Sequence, residues 1–306
     1  MAASGGTSKV VYTALAGNLA IAVTKFGAAF YSGSSSMLSE AIHSTVDTGN
    51  ELLLLYGMRQ AKKPAGSGNP FGNGREMYFW AFIVALMVFA MGAAVSAYQG
   101  VIHILRPEAA TNHTITYIVL AVSFVFEFIS WRVALKDLRA ANPGRSIFAA
   151  ARRSKDPTTF TVLLEDSAAL LGLILAFAFI LIAQATGDPR WDGVGSICIA
   201  LVLAATSIFL ARESKSLLMG ERALPEVEEK LRGVIASVPE VQRVNGIRTL
   251  QLGPQQVLLA ASVDFRDDLD VHGVEAAVDR IDKLVKAADP TVSSVMIKPV
   301  EGREQV

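Results

Sequence analysis

Glu40, His43, Asp47 and Glu51 all lie within Ser36–Gly57, a stretch otherwise apolar enough to cross a bilayer. An ionisable group at membrane depth costs about 2.5–3.5 kcal/mol on insertion scales. A chain that keeps several there has a use for them. His43 and Asp47 are four residues apart, about one helical turn, and so share a face. The facing donors lie in a later apolar segment that begins TFTVLLEDSAALLGLILAFAF and carries Glu165 and Asp166. Adjacent residues on a helix diverge by about 100°. One carboxylate therefore faces the cleft, and the other approaches from the flank or pairs with a basic group. An imidazole with oxygen donors suits tetrahedral Zn²⁺, and the same set accommodates Mn²⁺, Fe²⁺ or Co²⁺. A single membrane histidine more often bridges helices by a hydrogen bond; two carboxylates in a facing segment turn the reading toward a ligand. The sequence has no H-E-x-x-H, which disfavours an intramembrane metalloprotease.

The elements that must position these residues follow from hydropathy. The chain has 306 residues, 52% of them hydrophobic and 18% charged, with zero formal net charge, and its mean hydropathy is +0.40. No polyanion or nucleic-acid partner is implied. The single cysteine, Cys198, allows neither an intrachain disulfide nor a thiolate cluster. The N-terminus, MAASGGTSKVVY, lacks the regions of a cleavable signal peptide in series, so the first apolar segment is expected to be a retained helix. Six stretches reach the roughly 20 residues that span hydrocarbon: Lys9–Tyr31, Ser36–Gly57, Met77–Leu105, Thr114–Leu135, Thr158–Ala185 and Trp191–Ala211. Two longer links are basic, one with Arg59, Lys62, Lys63 and Arg75, the other running from Arg132 to Lys155. The positive-inside bias puts these links and both termini in the cytoplasm.

After Arg212 charges rise and long apolar runs stop. Pro225–Val238 reads as an amphipathic helix with proline at its start. Val241–Leu252 and Gln256–Phe265 read as strands around Gly253-Pro254. His272–Ala288 is a second helix and Val292–Pro299 a last strand. The expected fold is thus an α-helical membrane protein: six transmembrane helices in residues 1–212, then a small ferredoxin-like α+β cytoplasmic domain, αββαβ, in 213–306. So small a sheet gains by pairing with a second copy.

Other polar residues in the spans carry their own expectations. Glu51 continues the His43–Asp47 face toward the cytoplasm as an entry-path, proton-relay or ion-pairing group. Glu127, mid-span in FVFEFIS, is expected to pair with Lys25 or Asn18. Glu40, His103 and His113 read as solvated, and His272 as an isolated surface histidine. Tyr78, Trp80 and Trp191 sit at span ends, as interfacial aromatics do. Met87 and Met91 read as packing residues.

Taken together, these residues resemble the cation diffusion facilitator family of zinc transporters. The matching features are the six spans, SSSMLSEAIHSTVDTGNELLLLYG in the second, NPFGNGRE before the third, and SLLMGERALPEVEEKL leading into the tail. Through RRSKDPTTFTVLLEDSAALLGL the chain is similar to the branch of the ninth human zinc transporter. The resemblance implies a homodimeric, proton-coupled exporter of divalent metal working by alternating access. Metal and protons are then substrates, and no resident cofactor is expected. In the family the second span supplies a ligand pair four apart, onto which His43 and Asp47 fall. The fifth span usually supplies a pair four apart. Glu165 falls on its first position but Ala169 on its second, leaving Asp166, Glu51 or water for the fourth ligand. The tail stretches VNGIRTL, VLLAASVDF and VMIKPVE carry no histidine, so a tail that dimerises without a regulatory zinc cluster is expected. Arg75 and Glu221 fall on the places of a charge pair between membrane and tail.

Metal binding requires deprotonated ligands and so releases protons. His43, with a reference pKa of about 6.5, can exchange a proton for the ion near ambient pH. Two rivals from other classes are a passive divalent-cation channel, which would conduct without moving protons backward, and a metal sensor or scaffold. No nucleophile–base pair or nucleotide loop marks an enzyme. The N-terminus is unlike a transit peptide, which favours a bacterial inner membrane.

Overall fold

The structure, a computed structural model, describes the backbone of residues 3–32, 35–107 and 113–301, and the side chains of 8–27, 30, 44–107, 114 and 116–301. The chain divides into two compact units. Met1–Arg59 with Phe79–Lys215 form one, and Gln60–Tyr78 with Ser216–Val306 the other.

The first unit is helical. Its long helices are α1 (Ala3–Ser32), α2 (Ser35–Ala61), the run α3 (Glu76–Met87)–α4 (Val95–Leu105), α5 (His113–Ala141), α7 (Pro157–Thr186) and α8 (Arg190–Met219); the short α6 (Ile147–Arg153) lies between α5 and α7. Among the described residues, five are long and apolar enough to cross a membrane: those of α1, α3–α4, α5, α7 and α8. With its 27 residues, α2 is also as long as a membrane span. Exposed Leu19, Phe89, Ile129, Ile174 and Leu201 give the unit an apolar exterior, as expected where the solvent is lipid.

Helices α1, α5 and α7 pack on one another. The start of α7 is fixed locally. Asp156 caps it by accepting from Thr158 N at 3.0 Å, Pro157 occupies the first turn, and Gly187 closes the far end at φ 72°. The Trp131 indole donates to Ser167 Oγ at 2.9 Å, which ties α5 to α7. On the other side, α4 and α8 meet glycine to glycine. A Cβ on Gly100 would lie 2.8 Å from the Gly193 carbonyl, and one on Gly193 2.7 Å from that of Gly100. Small residues let membrane helices approach this closely.

Three details differ from the sequence reading. Val88–Ala94 is a π-helical stretch between α3 and α4. Within it Met91 turns outward, 39% exposed, and does not pack in the interior. Tyr78 is fully buried and belongs to the second unit, so it is not an interfacial residue.

In the second unit the sheet order is β1 (Val241–Gly253), β2 (Gln256–Phe265), β3 (Val292–Pro299). β1 and β2 are antiparallel; β2 and β3 are parallel, joined through α10 (Val271–Ala288). Alternation along β2 sends Val257, Leu259, Ala261, Val263 and Phe265 inward. They meet Leu231 and Ile235 of α9 (Pro225–Ala236) and Ala277, Ile281 and Val285 of α10. Helical and two-residue periodicities thus converge on one apolar core, completing the αββαβ order.

Candidate functional site

Three polar residues follow one another along α2. Relative to Asp47, Asn50 (three on) and Glu51 (four on) fall about 60° to one side and about 40° to the other. They accordingly reach different helices. Glu51 is 2% exposed and its Oε1 accepts from Asn18 Nδ2 of α1 at 2.9 Å. Asn50 is 3% exposed and its Nδ2 donates to Glu165 Oε1 of α7 at 3.4 Å. Asp47 lies between them and bears electrostatically on both Glu51 and Glu165.

The neighbouring carboxylates of α7 diverge as their adjacency requires. Glu165 meets Asn50 of α2. Asp166, 3% exposed, has Glu127 and Ser130 of α5 among its polar neighbours. Of the two partners expected for Glu127, Lys25 stands within electrostatic reach, whereas Asn18 gives its amide to Glu51.

The site carries buried oxygens that accept no hydrogen bond: Asn50 Oδ1, Glu51 Oε2, Glu165 Oε2 and Asp166 Oδ2. Each costs about 1–3 kcal/mol if it stays so. Rich in acceptor oxygens and carboxyl groups, such a group of atoms suits protons or cations. Among the described residues, no three His, Cys, Asp or Glu side chains converge tightly enough to hold one metal ion. His43 belongs to α2, but its side chain lies outside the described residues, as do those of Glu40 and His113.

Other expected residues lie elsewhere. Arg75 Nη2 would sit 3.4 Å from a Cβ on Gly220, the residue before Glu221, and both members of that charge pair fall in the second unit. His103 is exposed, its Nδ1 3.1 Å from Gln99 O, and His272 is a surface residue 3.5 Å from Glu275. Sequence reasoning passed over Asn50 and Ser130, and gave Asn18 to Glu127 where it serves Glu51. The available signal was that polar residues inside a span are functional by default even when uncharged.

Membrane-length helices holding a buried acidic cluster, and a small α+β unit, make up the chain. The chain belongs to the cation efflux family: residues 11–219 match its transmembrane domain and residues 223–299 its cytoplasmic domain. It is similar to the Xenopus laevis protein named proton-coupled zinc antiporter SLC30A9, mitochondrial, with 32% identity over 93% of this chain and 52% of the relative. The human protein of the same name is 35% identical over 85% of this chain and 46% of the relative. The Bacillus subtilis manganese efflux system protein MneP is 24% identical over 86% of this chain and 84% of its own length. The chain thus spans about half the length of the two vertebrate relatives.

Proposed function

We propose that this chain exports a divalent cation, foremost Zn²⁺, in exchange for protons by alternating access. The observation that carries the reading is the meeting of α2 and α7 at Asn50 and Glu165, with Asp47 within electrostatic reach. Two carboxylates there offset the double charge of the ion, which could not otherwise enter hydrocarbon. His43, as a neutral imidazole, adds a nitrogen ligand that suits zinc. Asp166 stands at the flank, and Glu51 next to Asp47 serves entry or proton relay. Because the ligands bind metal only when deprotonated, loading releases protons and reprotonation favours return of the empty site. The names of the vertebrate relatives, zinc antiporters coupled to protons, agree with this reading.

The protein works as a homodimer through its tail, with Arg75 and Glu221 as a charge pair at the tail's edge. The basic links support placing both termini on the cytoplasmic side of the membrane. Manganese is the second reading, favoured by the oxygen-rich donor set and by the name of the Bacillus relative.

The test is metal uptake into everted vesicles with Zn²⁺, Mn²⁺, Fe²⁺, Co²⁺ and Cd²⁺ in parallel, with and without an imposed proton gradient. Zn²⁺ uptake should need the gradient and should fall about tenfold or more on Asp47→Ala or Glu165→Ala, by comparison with the losses on altering metal-site partners. His43→Ala should lower uptake and flatten its pH dependence. Uptake that is indifferent to the gradient and to all three substitutions would remove the proposal.

A further inference from the structure

We infer that Asn50 is itself a ligand of the transported cation, its carboxamide oxygen joining Asp47 and Glu165 in the site. The inference rests on the transport reading above and specifies a member of that site.

Residues 43, 47 and 50 recur at the spacing i, i+4, i+7, which on a helix forms one stripe. Glu51 leaves that stripe for α1, where Asn18 holds it. Asn50 stays on the side that meets α7 and reaches Glu165. Of the two α2 side chains beside Asp47, Asn50 is the one hydrogen-bonded to the α7 carboxylate, on which Glu51 bears only electrostatically.

A carboxamide has two donor hydrogens and one acceptor oxygen. Asn50 Nδ2 is engaged with Glu165 Oε1, whereas Asn50 Oδ1 and Glu165 Oε2 are both buried and accept nothing. A cation satisfies both oxygens at once. The direct amide–carboxylate bond meanwhile brings the two side chains together before the ion arrives, so little ordering is left for binding to require.

A further carboxylate at this position would crowd a site where Glu51, Asp47 and Asp166 already bear on Glu165. An amide supplies a hard oxygen without adding to that charge. Neutral amide oxygens are ordinary ligands for hard divalent cations. This donor would make the site more oxygen-rich and widen its tolerance toward Mn²⁺.

The experiment uses the full chain in detergent and Co²⁺ as probe. In a Cys198→Ser background, Asn50→Cys should bind Co²⁺ with a thiolate-to-cobalt charge-transfer absorption, which only direct coordination produces. Binding of Co²⁺ by this variant without that absorption overturns the inference. Should the cysteine variant fail to fold or to bind Co²⁺, Asn50→Ala and Asn50→Asp decide. Ligation predicts that Asn50→Ala weakens Zn²⁺ and Mn²⁺ binding tenfold or more, and that Asn50→Asp restores binding while changing the Zn²⁺-to-Mn²⁺ preference. Unchanged affinity in Asn50→Ala overturns it. Asp47→Ala and Glu165→Ala serve as separate arms. If they lose binding while the Asn50 variants keep it, only the role of Asn50 falls; if they too keep it, the transport site itself is misplaced.

Discussion

Asn18 and Glu51 form a buried amide–carboxyl pair between α1 and α2. Because Glu51 Oε2 already lacks a donor, Asn18 is the hydrogen-bonding side chain that holds this carboxyl. Asn18→Ala should cost about 1–3 kcal/mol, seen as a lower unfolding temperature of the protein in detergent, and an unchanged temperature would deny the pair its structural role. At this scale the sequence was legible wherever charge marked the chemistry. Asp47, Glu51, Glu165 and Asp166 stand out in apolar runs, and the divergence of Glu165 from Asp166 follows from helical geometry. The uncharged partners were not legible in the same way. Asn50 carries no charge to attract notice, Asn18 was expected at Glu127 and not at Glu51, and which carboxylate each amide serves depends on helix rotation, which periodicity leaves free.

The elements show a similar division. Apolar length marked each span to within a few residues, except where a helix outruns its hydrophobic part. α5 continues to Ala141 because Arg132, Lys136 and Arg139 are good helix formers that simply lie beyond the apolar run. The short α6, capped by Ser146 at 3.3 Å from Ala149 N, was hidden in the same basic stretch. The π-helical stretch at Val88–Ala94 has no mark in composition. Packing between elements gives a direct test. Gly100→Val should force α4 away from α8, since even a Cβ would meet the Gly193 carbonyl at 2.8 Å, and overpacking of this kind costs about 1–3 kcal/mol. Gly27→Ala in α1, where a Cβ meets nothing within 4 Å, is the control. Thermal unfolding of the two variants should separate them, with only the α4 change destabilising.

For the whole molecule, the proposed dimer and the proposed site make a joint prediction about mass and metal. Light scattering in detergent should give twice the 32.6 kDa of one chain. Zn²⁺ should bind at one intramembrane site per chain, and Asp47→Ala together with Glu165→Ala should abolish that binding. The tail strands, with no histidine in VNGIRTL, VLLAASVDF or VMIKPVE, should retain none. Zinc that remained on the double variant would mean a second site that does not depend on Asp47 and Glu165. Strand order and core of the tail followed from alternation, Pro225 and Gly253-Pro254, because local signals there agree with the final packing. Membership of Gln60–Tyr78 in the tail's compact unit did not follow, because a polar loop carries no periodicity to announce its partner.

That membership has a consequence for proteolysis. The chain passes between its two units at three peptide bonds: after Arg59, after Tyr78 and after Lys215. Gly74 of the loop is seated so close to β1 that a Cβ there would stand 2.6 Å from Leu252 O. A trypsin nick after the exposed Arg222 severs only one of the three tethers. The 223–306 fragment should therefore co-elute with the remainder until detergent or urea unfolds it, and shortening the gene at that point would strip the loop of the surface it folds against.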